Sequence, residues 1–406
     1  MQPPPELDAV RERPNTLASD YSLFRVDERI LLTGHSHQAW PDCGLEGQQQ
    51  AWRDAADLMD GKWDKAFAVA DRVRRGFGRL LGEDAGGDHG RIALAASTHD
   101  LIVRLLSALP LGERPRLVTT EGEFHTIRRQ LDRLAEEGLE VVRVPTDPHD
   151  AIAERLCAEV DDRTSLVLAS SVLFGSGRIV RGLDTVAAAC ARCGADLLVD
   201  TYHHLNVVPF SVSELGLAEA FVVGGGYKYC QLGEGNAFLR IPADRRYRPV
   251  ITGWFAEFAQ LGQQASLGVV DYGSGPEQFA GATYDPTSHY RAAEVFDFFE
   301  RRGLTAAFLR EVSRHQVGLL ARGFDALDLD PSLIRRPDIP LAEIAGFLVL
   351  ESERAGEICR DLRQHGVQAD SRGRSLRLGP APYLNDEQLN DALEALAGVI
   401  GRARDR

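Results

Sequence analysis

Between about residue 90 and residue 240, short apolar runs alternate with stretches whose apolar residues recur at helical spacing. The runs "RIALAAS", "RLVTTEG", "LEVVRVP", "SLVLASS", "DLLVD" and "AFVVGGG" predict strands. Between them, "THDLIVRLLSAL", "HTIRRQLDRLAEEG", "HDAIAERLCAEV" and "GLDTVAAACARCG" predict helices. That cadence predicts an α/β fold with a mostly parallel sheet flanked by helices on both faces. In such sheets ligands bind at the carboxyl ends of the strands. Beyond residue 285 the pattern changes to long amphipathic helices, "SHYRAAEVFDFFERRG" and "LTAAFLREVSRHQVGLLARGFDAL". Strand-like "AGFLVLES" and "RSLRLGP" follow, separated by the helix "AGEICRDLRQHG", and "NDEQLNDALEALAGVI" ends the pattern as a helix. This is a smaller α+β unit. The Gly-rich, Pro-containing run "DYGSGPEQFAGATYDP", residues 271–286, marks a boundary. The expected division is an N-terminal arm with part of the small domain at 1–55, a large domain at 56–285 and a C-terminal small domain at 286–406.

A chain of 406 residues suits two domains, or one large layered domain with an appendage. At 44% hydrophobic and 26% charged residues it has the composition of a globular protein. A net charge of −14 argues against a nucleic-acid partner, because counterion release needs clustered Lys and Arg. No apolar run approaches the roughly 20 residues of a membrane-spanning helix, and "MQPPPELDAV" lacks the regions of a signal peptide. No membrane association and a cytoplasmic location are expected. The six cysteines, at 43, 157, 190, 193, 230 and 359, are too sparse for a disulfide framework.

The candidate chemistry centres on "GGGYKYCQLGEGNAF", where Lys228 stands between two tyrosines just past an apolar strand. Burial lowers a lysine pKa and makes the amine a usable nucleophile for a Schiff base. A snorkelling surface lysine is the alternative on this segment alone. In "LLVDTYHH", Asp200 ends another apolar strand 28 positions earlier, room for one helical crossover. A carboxylate there would pair with the pyridinium nitrogen of a lysine-bound pyridoxal phosphate, and His203 would lie beside the ring; a helix-capping Asp with a satisfied His is the rival reading. In "AASTHD", Ser97 and Thr98 end a strand and open a helix whose free N–H groups suit a phosphate, although Ser and Thr are also preferred caps. The glycines around Lys228 would let backbone pass close to a planar cofactor.

The order "STHD", "EFHT", "LVDTYHH", "GGGYKY", "GWF", "LRLG" resembles the fold type I pyridoxal-phosphate enzymes of the aminotransferase class V group, and among them kynureninase. The resemblance runs from about residue 30 to about 384. It implies a mostly parallel seven-stranded-type sheet with a smaller α+β domain, pyridoxal 5'-phosphate as cofactor, an amino-acid substrate, and a homodimer with its active site at the interface. It implies Lys228 as the covalent anchor, Asp200 on the pyridinium nitrogen and His203 as the histidine of Asp-x-x-His. Phe124 takes the place of the ring-stacking residue, while Thr126, Ser97, Thr98, Tyr227 and Ser170 fall on cofactor contacts. Trp254 and Thr283 match positions that reach the site from the second subunit. Arg377 matches the clamp on the substrate α-carboxylate, with His35 and Ser36 beside the substrate.

The sequence also departs from that pattern. His35 replaces an asparagine, Tyr202 and His204 stand where small residues are common, "FHTI" lacks a proline and an aspartate, and Phe174 replaces a tyrosine. No metal is expected: "CARC" sits within a helical pattern without a second pair. Cys359 lies in a helical pattern and not in a mobile loop, which disfavours a persulfide role. The expected activity is hydrolysis of the Cβ–Cγ bond of kynurenine or a related amino acid to an aryl acid and alanine. A β-lyase, desulfurase or aminotransferase reaction on the same site, and a non-catalytic binding protein, are the alternatives.

Overall fold

The computed structural model describes residues 4–83, 89–243, 245–260 and 268–404. The chain begins with α1 (Leu7–Arg11) and β1 (Ile30–Leu31), then the helices α2 (Cys43–Leu58) and α3 (Lys62–Leu80). The alternating region follows: β2 (Ile92–Ala95), α4 (Thr98–Ala108), β3 (Arg116–Thr120), α5 (His125–Glu136), β4 (Glu140–Val144), α6 (Ile152–Glu159), β5 (Thr164–Ser170), α7 (Leu183–Cys193), β6 (Asp196–Asp200), β7 (Phe221–Gly225) and β8 (Ala237–Arg240). The remainder comprises α8 (Thr287–Arg301), α9 (Ala306–Ala326), β9 (Leu348–Glu351), α10 (Ala355–Gln364), β10 (Val367–Gln368), β11 (Asp370–Arg372), β12 (Ser375–Leu378) and α11 (Asp386–Arg404).

All six expected strands enter one seven-stranded sheet in the order β2-β8-β7-β6-β5-β3-β4. Helices cover both faces, so β5 is buried along its whole length and reads as a continuous apolar run instead of an alternating one. The seventh strand, β8, is antiparallel to both neighbours, β2 and β7. The segment carrying Lys228 is therefore a connection between adjacent antiparallel strands, pinned at both ends. Gly233 and Gly235 turn it back at φ +66° and +86°, where other residues are strained.

A second, three-stranded sheet has the order β11-β12-β9. β1 pairs in parallel with β10, and the pairing continues as a bridge from Thr33 to Gly379. The Gly34 amide donates to the Gly379 carbonyl at 2.7 Å. This backbone seam lays residues 33–37 beside the end of β12, which carries Arg377. It also explains Gly379, where a Cβ would sit 2.3 Å from His35 Nδ1.

Candidate active site

Lys228 is 5% exposed, so its ammonium cannot snorkel to water. Its Nζ lies 3.0 Å from His203 Nε2 and has three rings around it, with centroids at 4.5 Å (Tyr202), 5.3 Å (Phe124) and 5.7 Å (Tyr227). Burial lowers its pKa from the usual 10.5 to about 7, with Arg377 acting in the same sense and Asp200 opposing. Burial also pushes His203 well below its ordinary value, and the Lys228 charge adds to this, so the imidazole is neutral. A consequence follows for the capture of a carbonyl compound by Lys228. The neutral amine is the nucleophile, so the capture rate should rise with pH and level off above about 7. Stopped-flow absorbance on the ligand-free protein measures it; a rate still climbing between pH 8 and pH 10 would contradict the burial argument.

Asp200 is the last residue of β6, and its Oδ1 accepts from the Tyr202 amide at 2.8 Å. That local turn fixes the carboxylate at the strand end, where burial raises its pKa while Lys228 draws it down. Ser170 ends the neighbouring β5 directly opposite Asp200. Its hydroxyl and amide do not point to open space. They donate to Glu123, at 2.6 Å and 3.1 Å, and Thr120 Oγ1 donates to the same carboxylate at 2.7 Å.

Sequence reading passes over Glu123, an acid in a turn before a helix with nothing in its spacing to mark it. Burial pushes its carboxyl up to about 7, against the hydrogen bonds from Ser170 and Thr120. Glu123→Ala would leave three buried donors without an acceptor, at a cost of at least about 2 kcal/mol in urea unfolding. The folded-state pKa is raised, so ionisation costs stability as pH climbs from about 4.5 to about 7. Glu123→Gln, which cannot ionise, should flatten that part of the stability profile.

A second cluster lies beyond the lysine. Arg377 is 4% exposed; its Nη1 donates to the Phe174 carbonyl at 2.8 Å and its Nη2 to Asp370. Its buried Nε has no partner. His35, wholly buried, stacks on Phe347 with centroids 4.6 Å apart; its Nε2 lies 3.5 Å from Asp370 Oδ2 and its Nδ1 has no partner. Burial brings His35 down to about 4 despite Asp370. Burial acting alone would raise Asp370, but His35 and the charge of Arg377 outweigh it and hold the carboxyl well below its usual range. Phe347, also passed over in the sequence, joins the two clusters: His203 is 6.2 Å from its centroid and Arg377 5.8 Å.

The other expected residues divide. Ser97 caps α4, its hydroxyl accepting from the Asp100 amide at 3.2 Å, and Thr98 is the first helical residue. Phe124 precedes α5 and meets Phe174 edge-on at 5.5 Å; Thr126 lies in the first turn of that helix. Tyr227 stacks on His37 at 4.8 Å and meets Tyr202, tilted, at 4.9 Å. Ser36 Oγ lies 3.0 Å from His37 Nδ1. Trp254 Nε1 donates to Thr283 Oγ1 at 3.3 Å, and neither residue is among the groups around Lys228 in this chain. One expectation needs correction. The glycines before Lys228 make room for protein and not for a ligand: a Cβ on Gly224 would meet Phe238 and Thr201, on Gly225 Tyr202, and on Gly226 Leu232, all within 3.0 Å.

No family model matches the chain. Over 369 residues it is 26% identical to an isopenicillin N epimerase from Streptomyces clavuligerus, covering 85% of this chain and 88% of that protein. Over 385 residues it is 24% identical to a kynureninase from Bacillus mycoides, covering 89% and 82%. Its fold is similar to that of a C-DES mutant with glycine covalently linked to the PLP cofactor, at 16% identity, a TM-score of 0.80 and coverage of 93% and 98%. It is equally similar, at 17% identity and a TM-score of 0.80, to an apo cysteine desulfurase from Thermococcus onnurineus, covering 96% and 98%. The fold is that of the type I pyridoxal-phosphate enzymes. In sequence it is similar to isopenicillin N epimerase and to kynureninase.

Proposed function

We propose that the protein is a homodimeric pyridoxal-phosphate enzyme of the kynureninase type, which hydrolyses the Cβ–Cγ bond of kynurenine or a related amino acid. The observation that carries the cofactor is the buried lysine of lowered pKa, flanked by aromatic rings and a strand-end carboxylate. The partnerless Arg377 Nε and His35 Nδ1 fit a polar ligand in the same place. These residues suit pyridoxal phosphate. Lys228 would carry it, Asp200 would face its ring nitrogen, Phe124 would cover its ring, and Ser97, Thr98 and the free amides of α4 would take the phosphate.

When bound, the cofactor supplies the electron sink that allows bonds at the substrate Cα to break. The chain does the rest. Lys228 Nζ, whose lowered pKa of about 7 makes the neutral amine available, takes the Cα proton and His203, neutral and 3.0 Å away, orients that amine. Arg377 keeps its Nε hydrogen and one hydrogen on each terminal nitrogen for the α-carboxylate, while Asp370 and the Phe174 carbonyl hold the guanidinium plane. His35 offers a ring nitrogen to the polar part of the substrate side chain. The net reaction consumes one water and releases an aryl carboxylic acid and alanine.

A desulfurase reading has less support. Cys359 is buried on α10 with its Sγ on the Ala369 carbonyl at 3.3 Å, and burial pushes the Cys230 thiol up to about 12. Product analysis with kynurenine and 3-hydroxykynurenine tests the reading: alanine and an anthranilate-type acid support it. Sulfide from cysteine, or epimerisation without cleavage, would replace it with another reaction of the same site.

The dimer is supported by exposed apolar residues around Trp254, among them Val250, Ile251 and Phe258. If Trp254 and Thr283 serve the partner's site, inactive Lys228→Ala subunits mixed with inactive Trp254→Ala/Thr283→Ala subunits should regain about a quarter of wild-type activity, since half the dimers hold one intact site. No regain would place these residues outside a shared site.

A further inference from the structure

We propose that Tyr202 forms the second wall of the cofactor slot, so that the planar ring carried by Lys228 lies between Tyr202 and Phe124. This rests on the reading of Lys228 as the anchor, and it gives a task to a bulky residue that the proposed reaction does not otherwise use.

The two rings stand 4.5 Å and 5.3 Å from Lys228 Nζ, yet they make no contact with each other among the described ring pairs. They arrive from different strands. Phe124 follows β3 and Tyr202 follows β6, with β5 between these two in the sheet. A planar group bonded to Nζ starts from the gap that both rings face. Tyr202 is also held in place. Its ring rests on Gly225, where a Cβ would lie 2.5 Å from its Oη and 2.6 Å from Cε2 and Cζ, so it cannot sink into the sheet. Tyr227 packs against it at 4.9 Å, tilted by 49°, and Tyr227 in turn stacks on His37 at 4.8 Å. An aromatic residue packed against Gly225 and Tyr227 and facing a buried amine presents a fixed π surface. Such a surface favours a planar heterocycle, and a cationic one further. Gly225 is thus the seat of the tyrosine.

The test titrates ligand-free protein with pyridoxal 5'-phosphate, reading visible absorbance and visible circular dichroism, the latter reporting the asymmetry around the bound ring. Tyr202→Phe keeps the wall and should bind within about twofold of wild type. Tyr202→Leu and Tyr202→Met keep bulk without a π face; each should bind about tenfold more weakly, with reduced dichroism. Far-ultraviolet dichroism identifies the replacement that retains the fold. Leu or Met variants that bind as tightly as wild type or tighter, with unchanged visible dichroism, would overturn the proposal and make Tyr202 a packing residue. A wild-type protein that develops no visible band would instead overturn the anchor reading beneath it.

Discussion

Lys228→Ala yields a folded protein with no visible absorbance after incubation with pyridoxal phosphate, and a turnover at least about 10⁴-fold below wild type. Two roles are lost together, the covalent attachment and the proton acceptor at Cα. The residue is also isolated from any substitute. Of the chain's three lysines, Lys62 and Lys65 lie on α3, where Lys65 pairs with Asp54 and Lys62 lies near the Trp63 ring. Removing a buried amine of lowered pKa does not strip a strong ion pair from the core, so thermal unfolding of the ligand-free variant should stay close to wild type. Absorbance and turnover check the first claim and calorimetry the second. Lysine-like residual activity in the variant would show that another group does the chemistry.

Arg377→Ala should lower kcat/KM by about 10²–10³-fold, the range expected when one partner of a buried, hydrogen-bonded charge pair is truncated. Two effects combine. The substrate carboxylate loses its fork of N–H donors, and Asp370 loses one of the two groups, with His35, that outweigh its burial. The freed Asp370 carboxylate then repels the substrate. Arg377→Lys supplies a point charge without the fork, so it should recover only part of the loss. Cofactor binding should change little, because Arg377 reaches Phe174, Asp370 and Phe347 and not the phosphate end of the site. Steady-state kinetics together with a cofactor titration separate the two. Equal losses in cofactor affinity and in kcat/KM would contradict a carboxylate clamp.

The parallel sheet was legible because its strands are buried on both faces and stand out as unbroken apolar runs between helical patterns. The positions of Asp200 at the end of β6 and of Lys228 just past β7 were legible because each follows such a run directly. Other features depend on contacts distant in sequence. β8 spans only Ala237–Arg240 and hides behind a glycine-rich turn. The helices α2 and α3 contain glycines at 44, 47, 76 and 78, and three of these serve the close approach of α8: a Cβ on Gly47 would meet the Tyr290 backbone, and one on Gly76 the Phe296 ring. The Asp370 to Arg377 contact follows from the register of the β11–β12 hairpin, which sets these residues opposite each other. Glu123 gains its importance from Ser170, 47 positions away. In each case the neighbour is supplied by topology, which local spacing does not encode. The glycines before Lys228 show the same limit: their presence was visible, but their reason, the seating of Phe238, Tyr202 and Leu232, needed the fold.

The central claim is that Lys228 carries pyridoxal phosphate, and the most direct test is borohydride reduction of the holoprotein followed by peptide mapping by mass spectrometry. With so few lysines in the chain, the site of a reduced adduct is unambiguous. A phosphopyridoxyl group on the peptide containing Lys228, and on neither Lys62 nor Lys65, is the result the account predicts. An unmodified Lys228 in protein that has been saturated with the cofactor would contradict it.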